Sequence, residues 1–283
     1  MKVSIVIVNY NHKNFPQLAI EALEKSKTNF PFEILVYDNH SYDQISLNFL
    51  KKADADKRIT LFLSNRNIGF GKGNNQGAQF AKGKYLFIHN PDLEVREDTL
   101  QKMVDYLESH PDVGILAPQL RYEDGTIQPS CRRNMAFTDL IMNRLPIHRL
   151  PFMEKRIKHY LMQDIDHAKT QDVDLVTGAA MMLPMDVFRK VGGFDERYFL
   201  FMEDFDLCRM IIKMGLRIVY YPEAVAKHYH KRLSQGSFFK LFTQKVFWLH
   251  IHSAIKFFWK WSTIRKLLNG ALNKAKSNHK PKV

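Results

Sequence analysis

Lys84-Tyr85-Leu86-Phe87-Ile88-His89-Asn90-Pro91-Asp92-Leu93 is an apolar run that stops at a proline and a carboxylate. Tyr85 to Ile88 read as a buried strand, bounded behind by Gly83 and ahead by Pro91, which has no N–H to give to a ladder. Asp92 therefore falls at the carboxyl end of a strand. In open α/β sheets that edge binds ligands, and an Asp next to an Asn amide suits a divalent cation that keeps waters and borrows phosphate oxygens. Asn-Pro-Asp is also good turn chemistry, so the neighbouring segments decide.

Upstream, Val3 to Val8 make a strand, Asn9-Tyr10-Asn11-His12 a polar loop, and Phe15, Leu18, Ala19, Ala22 and Leu23 one face of a helix. The unit recurs. Phe32 to Tyr37 is a strand ending in Asp38-Asn39, Ser46 to Ala53 is helical, and Ile59 to Leu63 is a strand ending in Ser64-Asn65. Such alternation predicts an α/β fold with a mostly parallel, doubly wound sheet and its ligand chemistry at the strand ends. Asn9, Asp38 and Asn65 all lie there, where an Asp can accept from a nucleobase N–H and an Asn can serve donor and acceptor edges alike. Asn65-Arg66-Asn67-Ile68-Gly69-Phe70-Gly71-Lys72-Gly73-Asn74-Asn75 then opens a helix through Ala81. It matches neither the dinucleotide fingerprint nor the Walker pattern. Its backbone N–H groups and Lys72 can still approach a ligand.

Four of these segments, Val3 to Asn11, Val36 to Ser41, Asn65 to Gly71 and Asn90-Pro91-Asp92, resemble in order and spacing the family-2 glycosyltransferases, in their rhamnosyltransferase-like branch. The resemblance runs from residue 1 to about 235. It implies a GT-A (nucleotide-diphospho-sugar transferase) fold: a mostly parallel mixed sheet flanked by helices, with a nucleotide-sugar half at 1–92 and an acceptor and catalytic half at 93–235. Asn9, Asp38, Asn39, Asn67, Gly69, Asn74 and Asn90 are then the nucleotide-sugar residues. Asp92 is the metal carboxylate for Mg²⁺ or Mn²⁺. Many members carry Asp-x-Asp where this chain has Asn90-Pro91-Asp92.

Farther on, Asp98 to Leu107 read as a helix, Val113 to Ala117 as a strand, and Asp124-Gly125 as a hairpin turn. Gln128-Pro129-Ser130-Cys131-Arg132-Arg133 presents paired guanidiniums, which suit a diphosphate; by resemblance Arg132 and Arg133 face the acceptor. Val173 to Leu183 read as one strand, with Thr177-Gly178-Ala179-Ala180 small enough for a close approach. Phe199-Leu200-Phe201-Met202 then delivers Glu203-Asp204-Phe205-Asp206 at a helix start. Acidic residues there favour the helix dipole by about 0.3–1 kcal/mol each. Three carboxylates behind four large apolar residues exceed that need, and an acid held against apolar surface has its pKa raised, as a useful base requires. By resemblance Glu203-Asp204 is the catalytic pair with Asp204 the base, while Asp206 is structural. His228 resembles the family's late histidine beside the metal or diphosphate, and Lys231 and Arg232 are placed to neutralise the leaving group.

The net charge of +13 is unevenly placed: Ala224 to Val283 hold 13 of the 42 Lys and Arg and no Asp or Glu, leaving the remainder balanced. A basic tail implies an anionic partner. Lys245, His252, Lys256 and Lys260 fall on one helix face and Phe247, Trp248, Ile251, Ile255, Phe258 and Trp259 on the other. The apolar run is shorter than the roughly 20 residues that span a bilayer. A tail at 236–283 with its amphipathic segment at 237–268 lying on an anionic membrane is expected, with packing on the protein's own core or on a second subunit left open. The two cysteines, Cys131 and Cys208, fit no metal or disulfide pattern. The expected protein is an inverting, metal-dependent glycosyltransferase on the cytoplasmic face of the membrane, taking a nucleoside-diphosphate sugar, dTDP-rhamnose by branch resemblance, to a lipid-linked or oligosaccharide acceptor. Nucleic acid is not expected as a partner, since phosphate binding needs no Trp stripe. Another donor sugar (galactofuranose, GlcNAc, Glc), an inactive scaffold binding membrane or nucleic acid, and a homo-oligomer stay open.

Overall fold

The computed structural model describes residues 1–134, 151–229 and 245–262. Mostly apolar runs become the strands of a sheet whose inner members are covered on both faces: Val3–Asn9 (β1), Phe32–Asp38 (β2) and Tyr85–His89 (β4), with Thr60–Leu63 (β3) at the exposed edge. They alternate with Phe15–Glu24 (α1), Gln44–Ala55 (α2) and Phe70–Gln79 (α3). Leu93–Val95 (β5), Thr99–Ser109 (α4), Val113–Arg121 (β6), Cys131–Arg132 (β7) and Pro151–Tyr160 (α5) follow. The chain continues through Gln171–Asp172 (β8), Leu175–Val176 (β9), Ala180–Pro184 (β10), Met185–Val191 (α6), Glu203–Lys213 (α7) and Arg217–His228 (β11) to Lys245–Trp261 (α8).

The main sheet has the order β3-β2-β1-β4-β10-β6-β11-β5, with β8 added against β11. β3, β2, β1 and β4 run parallel, β10 lies antiparallel between β4 and β6, and β11 runs parallel to β6. The sheet is therefore mixed, with four parallel strands at one end. Strand alternation sends side chains to two separate cores. Val6, Leu86, Ile88, Met181 and Leu183 meet Ala78, Phe188, Leu207, Ile211 and Phe257 on one face, whereas Ile5, Ile7, Phe87 and Met182 meet Ile20, Leu50, Leu100 and Val104 on the other.

Two segments differ from the sequence expectation. Val173 to Leu183 is two strands, β9 and β10, parted by a turn at Gly178-Ala179 and lying in different sheets. Hydropathy is continuous across the break and cannot mark it; the small residues do. In α8, Lys256 and Lys260 point into the body, where Lys256 Nζ donates to Arg197 O at 2.6 Å and Lys260 Nζ meets Asp206 Oδ2 at 2.6 Å. Ser253, Ala254 and Phe257 are buried, while Trp248, Ile255 and Trp259 stand 57, 58 and 55% exposed. The lysines face inward because the body supplies buried acceptors, and an apolar stripe is left outside.

Candidate active site

Three loops at the carboxyl ends of β1, β2 and β3 are tied together by amide side chains. Asn9 Nδ2 donates to Asp38 Oδ2 at 2.8 Å, and Asp38 Oδ1 accepts from Ser41 N at 2.8 Å. Asn39 Nδ2 donates to Asn67 Oδ1 at 2.9 Å and to Gly69 O at 3.0 Å, while its Oδ1 accepts from Ile68 N at 2.8 Å. Asn9, Asp38 and Asn39 are buried. Asn39 thus shapes the glycine loop, its amide fully spent, and Asn9 Oδ1 is left without a hydrogen-bond partner. Asn74 stands inside α3, buried, and Nδ2 donates back to Phe70 O at 3.1 Å; it is not joined to this cluster. Lys72 is paired with Glu196 at 2.7 Å.

The second group lies where β4 ends and β11 closes. Asp92 Oδ1 is 3.3 Å from His228 Nε2, and His228 Nδ1 lies 2.8 Å from Gln128 Oε1. A carboxamide oxygen only accepts, so Nδ1 donates to Gln128 and Nε2 is the ring atom turned toward Asp92. A carboxylate and an imidazole nitrogen side by side can share a proton or ligate a cation. Burial works to raise the Asp92 pKa, and His228 and His12 outweigh it, so the carboxyl lies below its usual range. His12, from the β1–α1 loop, has its own pKa lowered by burial, Asp92 opposing and His228 assisting. His89, buried at the end of β4, is pushed down to about 4 by burial and is neutral. Asn90 Oδ1 is buried with no hydrogen-bond partner. Among the described residues no three His, Cys, Asp or Glu side chains gather as a metal group. Asp92 and His228 nevertheless fit an Mg²⁺ or Mn²⁺ ion that takes most of its ligands from phosphates and water.

The third group is the start of α7. Asp204, half-buried, accepts from Gly178 N at 2.9 Å and from Phe205 N at 2.9 Å. Glu203 is 4% exposed and its Oε2 has no hydrogen-bond partner. Burial raises both carboxyls, and the Asp204 charge raises Glu203 further. Backbone amides favour the ionised form of each, but Asp204 is the less buried of the two and has Arg132 near it, while its charge raises Glu203, so the pair keeps one negative charge, on Asp204. The Gly178-Ala179 turn joins this group to the second, since Ala179 O accepts from Asn90 N at 2.8 Å. Gly69 joins it to the first: Phe70 N donates to Phe199 O at 3.0 Å, just ahead of Glu203.

Gly69 has φ +91°, and a Cβ there would come within 2.2 Å of Phe199 O. Gly69→Ala is expected to destabilise the fold by more than about 1 kcal/mol, read as a lower denaturant midpoint at unchanged slope.

Of the arginines read as acceptor-facing, Arg133 is paired with Asp164 at 2.6 Å and is not brought to the carboxylates. Arg132 Nη1 donates to Pro129 O at 2.8 Å and lies close enough to Asp204 to favour its charge. Lys231 and Arg232 lie outside the described residues. His12 and Gln128 were not singled out from sequence; the position of His12 at the end of β1 was the available signal for one, and nothing local marks the other. Cys131 and Cys208 are buried free thiols whose pKa values burial raises, so neither is a nucleophile.

A sheet of this order, with amides and carboxylates converging on the ends of its parallel half, is the GT-A class of nucleotide-diphospho-sugar transferase. Residues 4–192 match the family model described as glycosyl transferase family 2, and the chain belongs to that family. It is similar to the N-acetylglucosaminyl-diphospho-decaprenol L-rhamnosyltransferase of Mycobacterium tuberculosis, with 28% identity over 74% of this chain and 70% of the relative. It is also similar to rhamnosyltransferase WbbL of Escherichia coli K12, with 28% identity over 85% of this chain and 88% of the relative. Among solved structures, GalNAc-T7 with UDP, GalNAc and Mn²⁺ superposes with TM-score 0.63 at 17% identity, over 82% of this chain and 44% of that one. Staphylococcus aureus TarS with UDP-GlcNAc gives 0.56 at 17% identity, over 85% of this chain and 61% of that one. The chain thus spans less than two thirds of either solved neighbour, and these likenesses speak to fold alone.

Proposed function

We propose that this glycosyltransferase moves L-rhamnose from dTDP-rhamnose onto a hydroxyl of a lipid-linked saccharide during assembly of a cell-surface polysaccharide, inverting the anomeric centre. The observation that carries the proposal is the Gly178-Ala179 turn, which binds Asp204 through one amide and the Asn90-Pro91-Asp92 turn through the adjacent carbonyl. A base and a diphosphate site are thereby held on one short piece of backbone. The printed names of both relatives, rhamnosyltransferases, support the sugar, and that of the mycobacterial one supports a diphospholipid acceptor.

In the proposed reaction the Asn9–Asp38 pair and Asn67 form the floor under the nucleotide, with Gly69 allowing close approach and Asn90 at the sugar. Asp204 takes the proton of the acceptor hydroxyl as its oxygen bonds to the anomeric carbon. The carbon–oxygen bond to the diphosphate breaks on the opposite face, and the electron pair leaves with it. One displacement inverts the centre. Asp92 and His228 hold Mg²⁺ or Mn²⁺, which when bound supplies positive charge to the departing diphosphate. Calorimetry with dTDP-rhamnose, UDP-glucose and UDP-GlcNAc, in Mg²⁺ or in EDTA, tests the donor. Metal-dependent preference for dTDP-rhamnose is expected; tighter binding of a UDP-sugar would replace rhamnose, and binding of none would favour a scaffold.

The proposed site of action is the cytoplasmic face of the membrane. No described helix is long and apolar enough to cross a bilayer. The outer stripe of Trp248, Ile255 and Trp259, on a tail of one charge sign, supports seating in an anionic headgroup layer. Replacing both Trp248 and Trp259 by Ser is expected to reduce flotation with phosphatidylglycerol vesicles about 10-fold or more, each buried ring being worth roughly 1.5–3 kcal/mol. Salt-sensitive binding to duplex DNA with no vesicle binding would reverse that assignment.

A further inference from the structure

The segment that delivers Glu203 and Asp204 is held between two layers. Its inner side meets the glycine loop, where Phe70 N donates to Phe199 O at 3.0 Å. Its outer side is gripped by α8. Ser253 Oγ donates to Leu200 O at 2.8 Å and Lys256 Nζ to Arg197 O at 2.6 Å. Lys260 Nζ bridges Asp195 Oδ2 at 2.8 Å and Asp206 Oδ2 at 2.6 Å, and Trp261 Nε1 donates to Asp206 Oδ1 at 2.8 Å. Tyr198 OH also lies 3.4 Å from Asp206 Oδ1. Asp206 is 2% exposed and stands two residues after Asp204 on the same helix turn.

These contacts do more than fill space. A helix needed only to cover Leu207, Ile211 and Tyr198 would do so with apolar residues, and a buried ion pair is no better for stability than a well-packed apolar pair. Here five polar contacts from four α8 side chains instead hold one segment at four points, Asp195, Arg197, Leu200 and Asp206. The loop needs fixing: Phe201 and Met202 hold φ of 70° and 71°, a region that large side chains occupy only where the surroundings impose it. The N-cap residue of α7, Met202, offers no side-chain cap, so the helix start is held by the Asp204 contacts to Gly178 N and Phe205 N and by what α8 supplies through Asp206.

We propose that α8 is a positioning element for the transfer step, with Lys260 and Trp261 acting through Asp206 to set where Asp204 points. The inference rests on the reading of Asp204 as the base. A displacement of about 1 Å at a reacting group costs up to about 100-fold in rate, so loss of the grip is read in turnover before it is read in binding.

The test uses the full chain with Lys260→Met, which keeps the stem, Trp261→Phe, which keeps the ring, and Lys260→Arg, which keeps the charge. Hydrogen exchange of the peptides covering 195–206 is expected to quicken at least 10-fold in the first two, with β1 and β4 unchanged, and to return toward wild type in the third. With dTDP-rhamnose as probe, kcat for donor hydrolysis is expected to fall 10- to 100-fold while the donor Kd stays within twofold. Exchange that quickens everywhere alike, or kcat within twofold despite a loosened segment, overturns the proposal. Should the wild type turn over no donor, the local exchange result alone decides. Failure of the base reading shows separately, as retained activity in Asp204→Asn, and leaves the exchange result standing.

Discussion

Asp204→Asn is expected to lower kcat by about 10²–10⁴-fold, the usual worth of a general base, or about 2.7–5.5 kcal/mol of barrier, with the donor Kd unchanged. The substitution keeps the shape of the side chain and removes the charge. One amide donor, Gly178 N or Phe205 N, then faces an NH₂ group, a loss on the order of 1 kcal/mol to local structure. Single-turnover rates with calorimetric donor binding separate the two effects. A fall in donor affinity as large as the fall in rate would move Asp204 from proton transfer to donor binding.

Glu203→Gln gives the control. Glu203 is buried without a partner for Oε2 and beside a charged Asp204, and both causes raise its pKa. In the proposed mechanism its neutral form is the working one, and Gln imitates that form, so kcat is expected to stay within about threefold of wild type. If Glu203 were the base the two variants would exchange places. The same shift sets a sign for stability. The folded chain keeps a proton that the unfolded chain releases, so this contribution is fully present below the ordinary Glu pKa and is lost as pH rises toward the raised value. Unfolding midpoints of Glu203→Gln should therefore fall less over that range than those of wild type. For turnover, burial raises the Asp204 pKa, so the acid limb of the rate profile should lie above the usual Asp range, activity being lost as pH falls through it.

The strand ends were legible because β1, β2 and β4 carry runs apolar at nearly every position, and those runs stop at Asn9, Asp38 and Asn90. Tertiary contacts then decided what the sequence could not. Asn39 reads like Asn9 as a strand-end amide, yet its partners are the loop around Gly69, which only the folded chain brings within reach. The lysines of α8 have a periodicity that suits a solvated face, and they turn inward because Asp195, Asp206 and the carbonyl of Arg197 lie beneath them. Gln128 comes to His228 across 100 residues, a separation at which no local pattern operates. The break at Gly178 was hinted at by residue size, but its use, an amide for Asp204, required α7 to be in place.

Asp92→Ala is expected to abolish the metal-dependent part of donor binding, so that Kd in Mg²⁺ becomes equal to Kd in EDTA. Loss of a group that merely orients a ligand costs about 10–100-fold in metal affinity, and removal of the carboxylate itself should cost at least the upper figure. Asp92 Oδ1 and His228 Nε2 are the two atoms proposed to face the cation. Gln128 holds the proton on His228 Nδ1, which leaves Nε2 facing Asp92 Oδ1 at 3.3 Å. Gln128→Leu frees the ring to turn and releases the tautomer, so it should weaken Mg²⁺ by about 10–100-fold while donor binding in EDTA is retained. Asp92→Ala leaves the proposed nucleotide residues on β1 and β2 untouched, and dTDP alone, measured without metal, should bind as it does to the wild type. An Mg²⁺ enhancement of equal size in Asp92→Ala and wild type would place the cation elsewhere and leave the Asp92–His228 contact as a plain ion pair.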